Sequence, residues 1–537
     1  MIFSIDQNCH SLWDVLPKLQ ALARRQKNVL HYVEDVDVAF TEMGSGVESG
    51  RPRLARERYY RSGGADWGAA LFYSEFLSRL PLDIRCLENY VGMKLPALAK
   101  KLGLSVDELY DRYSPSDNWQ LIAPSYAGDK QYHRVIGDLS VAETAPFLPQ
   151  LFDKAEADLT RTFVDDDARQ RVTNWLTAER ERLDGLVEAR ADGRLVELYR
   201  QWLGQYLGES VQLGLTSDGF PVDPENGRLI LLEEFCRDYT RLSKIYNASL
   251  EETGSDLRPL RRKEGELPFF ATLHHEEHLA RTVMHLQDKT LVIGRETFPL
   301  GDGNAIPFGL LQEAGICSIT GKAALLVTQV RIGDRGGPLA LPENGSLYMP
   351  TAHHLAAKLT EQNLLPGKPQ PVLRVRFHLL DRMSGLNTRI RLPEYLQAAF
   401  GEEIVPADEI ARRWQPLAEE AKQRLASFSD ESARKQWQRQ AFPDTMDEID
   451  RLNDRRRELA QIDPKSEEIR EASHRVRELE NEMLDGTVEQ IVRDIHVSQI
   501  DYWDSRGGLL PWCVGLGGMD FYDRVVDKAE IYEEHSL

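Results

Sequence analysis

The residue types best suited to metal chemistry lie in the centre of the chain, where six of the thirteen histidines fall between His274 and His354. Imidazole is the commonest metal ligand, and it titrates near neutral pH. On a helix, His274 and His278 would lie one turn apart on one face, with Glu277 beside them. The two histidines would then share a metal ion, and Glu277 would act as the base that activates a bound water.

The pattern His274-x-x-Glu277-His278 resembles the inverted zinc-protease motif over these five residues. That family completes its site with a glutamate farther along the chain, and His353 and His354 stand in that place here. Three nitrogen ligands suit zinc or iron(II), so the pattern supports a metal-dependent hydrolase. The alternative interpretation is a polar surface turn whose histidines never meet.

A second set of residues suited to chemistry is the glycine-bearing loop after an apolar element. Gly336 and Gly337 would allow a ligand to approach the backbone closely, and Arg331 and Arg335 would pair with a phosphate or carboxylate. In an α/β sheet, ligands bind where loops leave the carboxyl ends of strands. The loop therefore predicts a site for an anionic small molecule. The alternative is a tight turn with two solvated arginines.

The five cysteines are scattered and form no CxxC pair, a pattern typical of a reducing compartment. Cys317, Cys513 and Cys9, which is followed by His10, are candidate nucleophiles, but no base is known to lie near them in the fold. We interpret these thiols as buried and inert.

Length and charge limit the classes of function. A chain of 537 residues is expected to form two or three domains. Its formal charge of −20 argues against a general nucleic-acid or anionic-membrane binder, since both partners require clustered cations. No signal peptide and no apolar run of membrane-spanning length is evident in the sequence. We therefore expect a cytoplasmic protein.

The spacing of apolar residues predicts an α/β fold that is predominantly helical. Residues 1–213 have helical patterns, with a helix end at Gly103 and capping boxes that open at Ser105 and Ser140. Residues 214–405 mix β-type runs with helical patterns and turns, which indicates an α/β core. The β-type runs are Leu229–Leu232, Leu291–Ile293 and Val372–Phe377, while Leu325–Val330 suits a strand or a helix equally.

The remaining segments are a charged helical region over 406–500 and a glycine- and aromatic-rich tail over 501–537, which we expect to pack on the core. Apolar residues on both sides of Pro464 follow a heptad pattern, so residues 444–484 are predicted to form an antiparallel coiled-coil hairpin. An arm of this kind serves as a structural spacer or as a homodimer contact.

The central segment also resembles the bacillithiol-synthase family. The resemblance rests on Glu266–Phe269, the apolar element at 321–332, Gly336-Gly337-Pro338 and an aromatic residue at Tyr348. It implies a Rossmann-like core with an appended coiled coil, and a C–N bond-forming transfer of the kind that joins a cysteine to a glucosaminyl-malate. The long helical N-terminal half and the glycine-rich tail depart from that family's pattern.

Three hypotheses about function follow from these patterns. The first is an enzyme that acts on an anionic small molecule, as a C–N bond-forming transferase or ligase. The second is the metal-dependent hydrolase. The third is a non-enzymatic scaffold that binds partners through the hairpin.

Overall fold

A computed structural model describes residues 1–5, 12–38, 53–60, 64–65, 77, 79, 82–122, 126–127, 129–255, 257–346, 348–505 and 509–534. The architecture is mixed α/β and predominantly helical. The strands are β1 Ile2–Ile5, β2 Val29–Val33, β3 Arg53–Tyr60, β4 Gly64–Ala65, β5 Pro115–Ile122, β6 Tyr126–Ala127, β7 Asp129–Arg134, β8 Val211–Leu215, β9 Glu266–His275, β10 His278–Gln287, β11 Thr290–Ile293, β12 Glu296–Pro299, β13 Ile316–Gly321, β14 Leu339–Pro342, β15 Val372–Arg376, β16 Arg389–Arg391, β17 Ile404–Pro406 and β18 Glu530–Glu533.

The helices connect and cover these strands. They are α1 Leu12–Arg24, α2 Leu87–Val91, α3 Leu95–Leu102, α4 Val106–Tyr113, α5 Val141–Thr144, α6 Leu148–Thr162, α7 Asp166–Ala189, α8 Leu195–Gly204, α9 Thr216–Gly219, α10 Ile230–Arg237, α11 Tyr239–Glu252, α12 Phe308–Glu313, α13 Ala323–Arg331, α14 Met349–Glu361, α15 Leu379–Arg382, α16 Glu394–Phe400, α17 Ala407–Phe428, α18 Glu431–Ala441, α19 Pro443–Ile462, α20 Glu467–Ser498 and α21 Leu509–Asp527.

The first sheet has the strand order β8-β2-β1-β14-β15-β18. The first five of these strands are parallel, and β18 closes one edge in the antiparallel direction. All four residues of β1 are buried, as expected for a parallel strand covered on both faces. From β1 the chain continues to β2, towards one edge of the sheet, and from β14 it continues to β15, towards the other edge. Right-handed connections therefore place α1 and α14 on opposite faces of the sheet.

The second sheet is antiparallel and is built around the long strands β9 and β10. Strand β9 pairs with β13 on one side and with β10 on the other, while β10 continues to β11 and to β7. Alternate residues of β9 are apolar and pack in a core with α10 and α11, for example Phe269 and Ala271. The residues between them form the opposite, more polar face of this sheet.

The helices α19 and α20 pack against each other in opposite directions on either side of Pro464. Ion pairs link Arg475 to Glu448 and Arg455 to Glu468, so later residues of one helix lie beside earlier residues of the other. Between the helices lies a small apolar cluster of Ile449, Val476, Leu479 and Met483. Helix α20 continues beyond this pair, and its later residues pack with α2 and α3.

The predicted capping boxes at Ser105 and Ser140 are confirmed, as is the helix end at Gly103, whose φ is 71°. These signals depend on neighbouring residues alone, which is why they could be recognised. The predicted strand at Leu291–Ile293 is confirmed, and the ambiguous segment Leu325–Val330 is helical within α13.

Two expectations differ from the structure. The predicted strand at Leu229–Leu232 is wrong, because its short apolar run lies almost entirely in α10. The segment 1–213 is not entirely helical, since β1, β2 and β8 occupy neighbouring positions in the parallel sheet. The glycine-rich tail forms the helix α21, whose apolar residues lie in the core, and the edge strand β18. In the described part of the chain, no helix combines the length and apolar character needed to cross a bilayer.

Candidate functional site

The five residues of the HxxEH pattern form a β-hairpin, so the helical geometry that we considered for them is wrong. Strand β9 ends at His275 and β10 begins at His278, which leaves Glu277 in the exposed turn between the strands. His275 lies directly opposite His278, while His274 lies opposite Leu279. Because successive side chains of a strand alternate between faces, His274 and His278 project on opposite faces of the hairpin.

Three of the four predicted histidine ligands contact carboxylates in different parts of the molecule. His278 Nδ1 lies 3.0 Å from Asp138 Oδ2, and His353 Nε2 lies 3.3 Å from Glu534. His354 Nε2 lies 3.1 Å from Glu252. Among the described residues, no group of three or more His, Cys, Asp or Glu side chains is arranged to hold a metal ion. The structure therefore does not bring His274, His278, His353 and His354 together.

The glycine-bearing loop lies at the amino edge of the parallel sheet, not at the carboxyl edge where we expected it. It runs from the end of α13 to the start of β14, and the Phe3 N–H donates to the carbonyl of Pro338. A Cβ atom on Gly337 would lie 2.8 Å from the Met1 carbonyl oxygen and 2.8 Å from the Phe3 ring. Gly337 is thus required where the loop packs against the start of β1.

The two arginines of this loop have different environments. Arg331 is buried, its Nε donates to the carbonyl of Gln370 at 2.5 Å, and burial lowers the pKa of its guanidinium to about 10. The Arg335 side chain is exposed, while its carbonyl accepts from Arg228 at 3.4 Å. Gly336 follows Arg335 and packs against the backbone of Ile332. The loop residues therefore serve contacts within the protein.

The carboxyl edge of the parallel sheet carries a group of acidic and hydroxyl residues. Directly after β2, Glu34 accepts hydrogen bonds from the N–H groups of Val36 and Asp37 at 2.7 and 2.8 Å. Asp35 accepts from the N–H and the hydroxyl of Ser217, which follows β8, at 2.9 and 2.5 Å. These contacts fix the loop after β2 at the end of the sheet.

A residue after β14 completes this edge on the other side of β1. Burial raises the pKa of the Tyr348 hydroxyl, and the negative charge of Asp37 acts in the same direction. Asp37, in the loop after β2, thus acts electrostatically on Tyr348, in the loop after β14.

The polar face of the antiparallel sheet faces the loop after β2. Arg281 of β10 extends from this face, and its Nη1 lies 2.6 Å from Asp37 Oδ1. Ile136 and Gly137, just after β7, donate their N–H groups to the carbonyls of Asp37 and Asp35. A Cβ on Gly137 would lie 2.7 Å from the Asp35 carbonyl oxygen, so only glycine permits this approach.

Two cations flank one aromatic ring on this face. The guanidinium of Arg281 lies 4.2 Å from the ring centroid of Phe270, and Lys322 Nζ lies 5.5 Å from the same centroid. Lys322 Nζ also lies 2.5 Å from Glu266 Oε1. The arrangement is therefore two cation–carboxylate pairs, Arg281–Asp37 and Lys322–Glu266, on either side of Phe270. Each cation therefore interacts both with the π-face of the ring and with its carboxylate partner.

The ionisable groups here have pKa values displaced by burial and by their partners. Burial raises the pKa of Glu34 well above its usual range, and the charges of Asp37 and Asp35 add to this effect. Burial also raises the pKa of Asp35. Burial disfavours ionised Glu266, yet hydrogen bonds from Lys322 and the Arg261 N–H outweigh it and lower the pKa to about 2. Groups with pKa values displaced in both directions are typical of functional sites.

Sequence reasoning missed these residues, although one signal was present. The run Glu34-Asp35-Val36-Asp37 directly follows the apolar residues of β2, and polar residues at the end of a buried strand mark the ligand edge of an α/β sheet. Arg281, Lys322 and Thr272 gave no such signal, since their proximity depends on the pairing of distant strands.

Cys9 and His10 lie outside the described residues.

A cleft of about 250 Å³ lies elsewhere, between α17, α18 and α20. Its most buried charged group, Asp494, already forms two hydrogen bonds with Arg424 at 2.8 and 2.9 Å. The polar groups of this cleft are thus paired with each other. We therefore place the candidate site at the carboxyl edge of the parallel sheet.

Comparisons with known proteins give no family for this arrangement. No protein-family model, curated protein or solved structure matches the chain.

Proposed function

We propose that the chain is an enzyme with a Rossmann-like core that binds an anionic small molecule between the carboxyl ends of β1 and β14. The strand order β8-β2-β1-β14-β15 supports this proposal most directly. In open α/β sheets of this order, the loops after the two central strands diverge to opposite faces and leave a crevice for a ligand.

Charge indicates the class of ligand. Arg281 and Lys322 place two cations at this edge of a chain whose formal charge is −20. Guanidinium groups bind phosphates and carboxylates through paired hydrogen bonds. Both cations are already paired with carboxylates, Arg281 with Asp37 and Lys322 with Glu266, so an anionic ligand would bind here by taking the place of a carboxylate.

The reaction class rests on the resemblance to the bacillithiol-synthase family, which implies a C–N bond-forming transfer. When an amine joins a carboxyl group, the C–N bond forms and a carbon–oxygen bond breaks, so the amine loses a proton and the departing oxygen leaves as water. Asp35 is a suitable acceptor, because burial raises the pKa of its carboxyl group and makes the carboxylate a better base. Its two contacts with Ser217 would hold the carboxylate in place.

Hydrogen–deuterium exchange tests where the ligand binds. The full chain would be measured with and without L-malate or inorganic phosphate, two anions small enough to enter either edge. We expect protection at residues 34–38 and 343–349. Protection confined to residues 331–338, at the amino edge, would contradict the proposal. Arg335→Gln is the matched control, because this exposed arginine lies at the amino edge and should leave the protection unchanged.

A second candidate function is partner binding through the α19–α20 pair, as a coiled-coil scaffold or a homodimer contact. The observation in its favour is Ile462, which is 81% exposed at the end of α19. Ile449, Val476, Leu479 and Met483 pack with each other between the helices, whereas Ile462 remains exposed to a partner. Light scattering of Ile462→Asp tests this proposal. An unchanged molecular mass would exclude a homodimer that depends on Ile462.

A further inference from the structure

Four side chains form a row across the polar face of the antiparallel sheet. Ser318 of β13 lies opposite Thr272 of β9, Thr272 lies opposite Arg281 of β10, and Arg281 lies opposite His133 of β7. Directly opposed residues share a face, and their Cβ atoms lie about 5 Å apart. Two hydroxyl groups are therefore aligned beside one guanidinium.

The hydroxyl groups of Thr272 and Ser318 in this row are buried without a hydrogen-bond partner among the described residues. Thr272 and Ser318 are fully buried, and neither Thr272 Oγ1 nor Ser318 Oγ has a hydrogen-bond partner in the described part of the chain. Leaving a buried donor without a partner costs free energy, so adjacent unsatisfied hydroxyls on a polar face call for an explanation. A ligand that accepts hydrogen bonds would satisfy both.

A third buried hydroxyl provides a contrast. Thr282 also lacks a partner among the described residues, but it lies opposite Ala271 and therefore projects from the apolar face. It has no place in the row that contains Arg281. Thr282 is thus a matched control for Thr272, in the same sheet and with similar burial.

The Asp37 carboxylate binds the guanidinium of Arg281 in the way that an oxyanion of a ligand would. Its Oδ1 lies 2.6 Å from Arg281 Nη1 and also accepts from the Val38 N–H at 2.7 Å. Backbone contacts of Asp37 and Asp35 with Ile136 and Gly137 hold the loop over this end of the sheet. An anion that binds Arg281 must therefore compete with the Asp37 carboxylate.

We propose that Arg281, Thr272 and Ser318 form the subsite for the anionic group of the ligand, a phosphate or a carboxylate, and that Asp37 fills this subsite until the ligand displaces it. The inference rests on the proposed function and adds to it the groups that hold the anion. The guanidinium donates two N–H groups to the oxyanion, and each hydroxyl donates one further hydrogen bond.

Isothermal titration calorimetry of the full chain tests the subsite with inorganic phosphate and L-malate as separate probes. Asp37→Asn removes the competing charge, so we expect about tenfold tighter binding of at least one probe. Arg281→Gln should weaken that binding about tenfold, and Thr272→Val and Ser318→Ala about threefold each. The probe that binds identifies the oxyanion as a phosphate or a carboxylate.

The control is Thr282→Val, which should leave the affinity unchanged. No saturable binding of either probe by Asp37→Asn would overturn the inference, as would equal losses in Thr282→Val and Thr272→Val. If Arg281→Gln fails to fold, Asp37→Asn and Thr272→Val still decide the outcome. Protection at residues 34–38 with unchanged affinity in Arg281→Gln would reject this subsite and leave the proposed function intact.

Discussion

Arg281 Nη1 lies 2.6 Å from Asp37 Oδ1, and this ion pair joins the two sheets of the molecule. Arg281 belongs to the antiparallel sheet, and Asp37 belongs to the loop that leaves the parallel sheet after β2. The side chains are 17% and 25% exposed, respectively, so water screens the pair only in part. The pair therefore orients the loop after β2 against the antiparallel sheet.

The first prediction concerns the contribution of this pair to stability. Removing one partner from a partly buried ion pair leaves the other charge without compensation, so Arg281→Gln and Asp37→Asn should each lower the free energy of unfolding by about 1–2 kcal/mol. The double variant should lose less than the sum of the two. Urea denaturation measures all three. Strictly additive losses would show that the two side chains do not interact in solution.

The second prediction concerns pH. The pKa of Glu266 is lowered to about 2, so the folded state binds fewer protons than the unfolded state at moderately acidic pH. The stabilisation is complete above the ordinary carboxyl pKa of about 4.5 and is lost as the pH falls towards 2. Burial lowers the pKa of Lys322, which cancels part of the gain and leaves about 1–2 kcal/mol at pH 7.

Denaturant unfolding of wild type and Glu266→Gln between pH 3 and pH 7 measures this effect. The stability difference between the two proteins should shrink as the pH falls. The neighbouring, exposed Glu264 supplies the control, since Glu264→Gln should show a much smaller dependence on pH. A pH-independent difference for Glu266→Gln would contradict the assigned ion pair with Lys322.

The third prediction separates packing from ligand binding in the glycine-bearing loop. Gly337→Ala would place a methyl group 2.8 Å from the Met1 carbonyl oxygen, so we expect a loss of about 1–3 kcal/mol in stability. Anion affinity at the carboxyl edge should not change. Gly227→Ala is a suitable control, because a Cβ there has no neighbour within 4 Å. Normal stability with lost anion binding in Gly337→Ala would restore this loop as the ligand site.

The fourth prediction concerns the histidines. Because His274 and His278 project on opposite faces of a hairpin, we expect no metal ion that depends on both. Elemental analysis of the full chain after incubation with zinc or iron(II) provides the measurement, with His274→Ala and His278→Ala as comparisons. Stoichiometric metal lost in both variants would support the metal-dependent hydrolase instead.

The sequence by itself determined the features that depend on neighbouring residues. Helix α3 ends at Gly103, and α4 and α5 begin after Ser105 and Ser140. Glycine terminates helices and serine caps them through contacts within a few residues. The strand at Leu291–Ile293 was likewise predicted from its own residues.

Only the tertiary structure decided which chemical groups meet. The HxxEH pattern suits a helix, but pairing of β9 with β10 makes it a hairpin and separates His274 from His278. The same pairing places Arg281 beside Thr272 and within reach of Asp37, a residue more than two hundred positions earlier. Periodicity records which residues prefer burial, while strand register and the direction of each connection are set by contacts between distant segments.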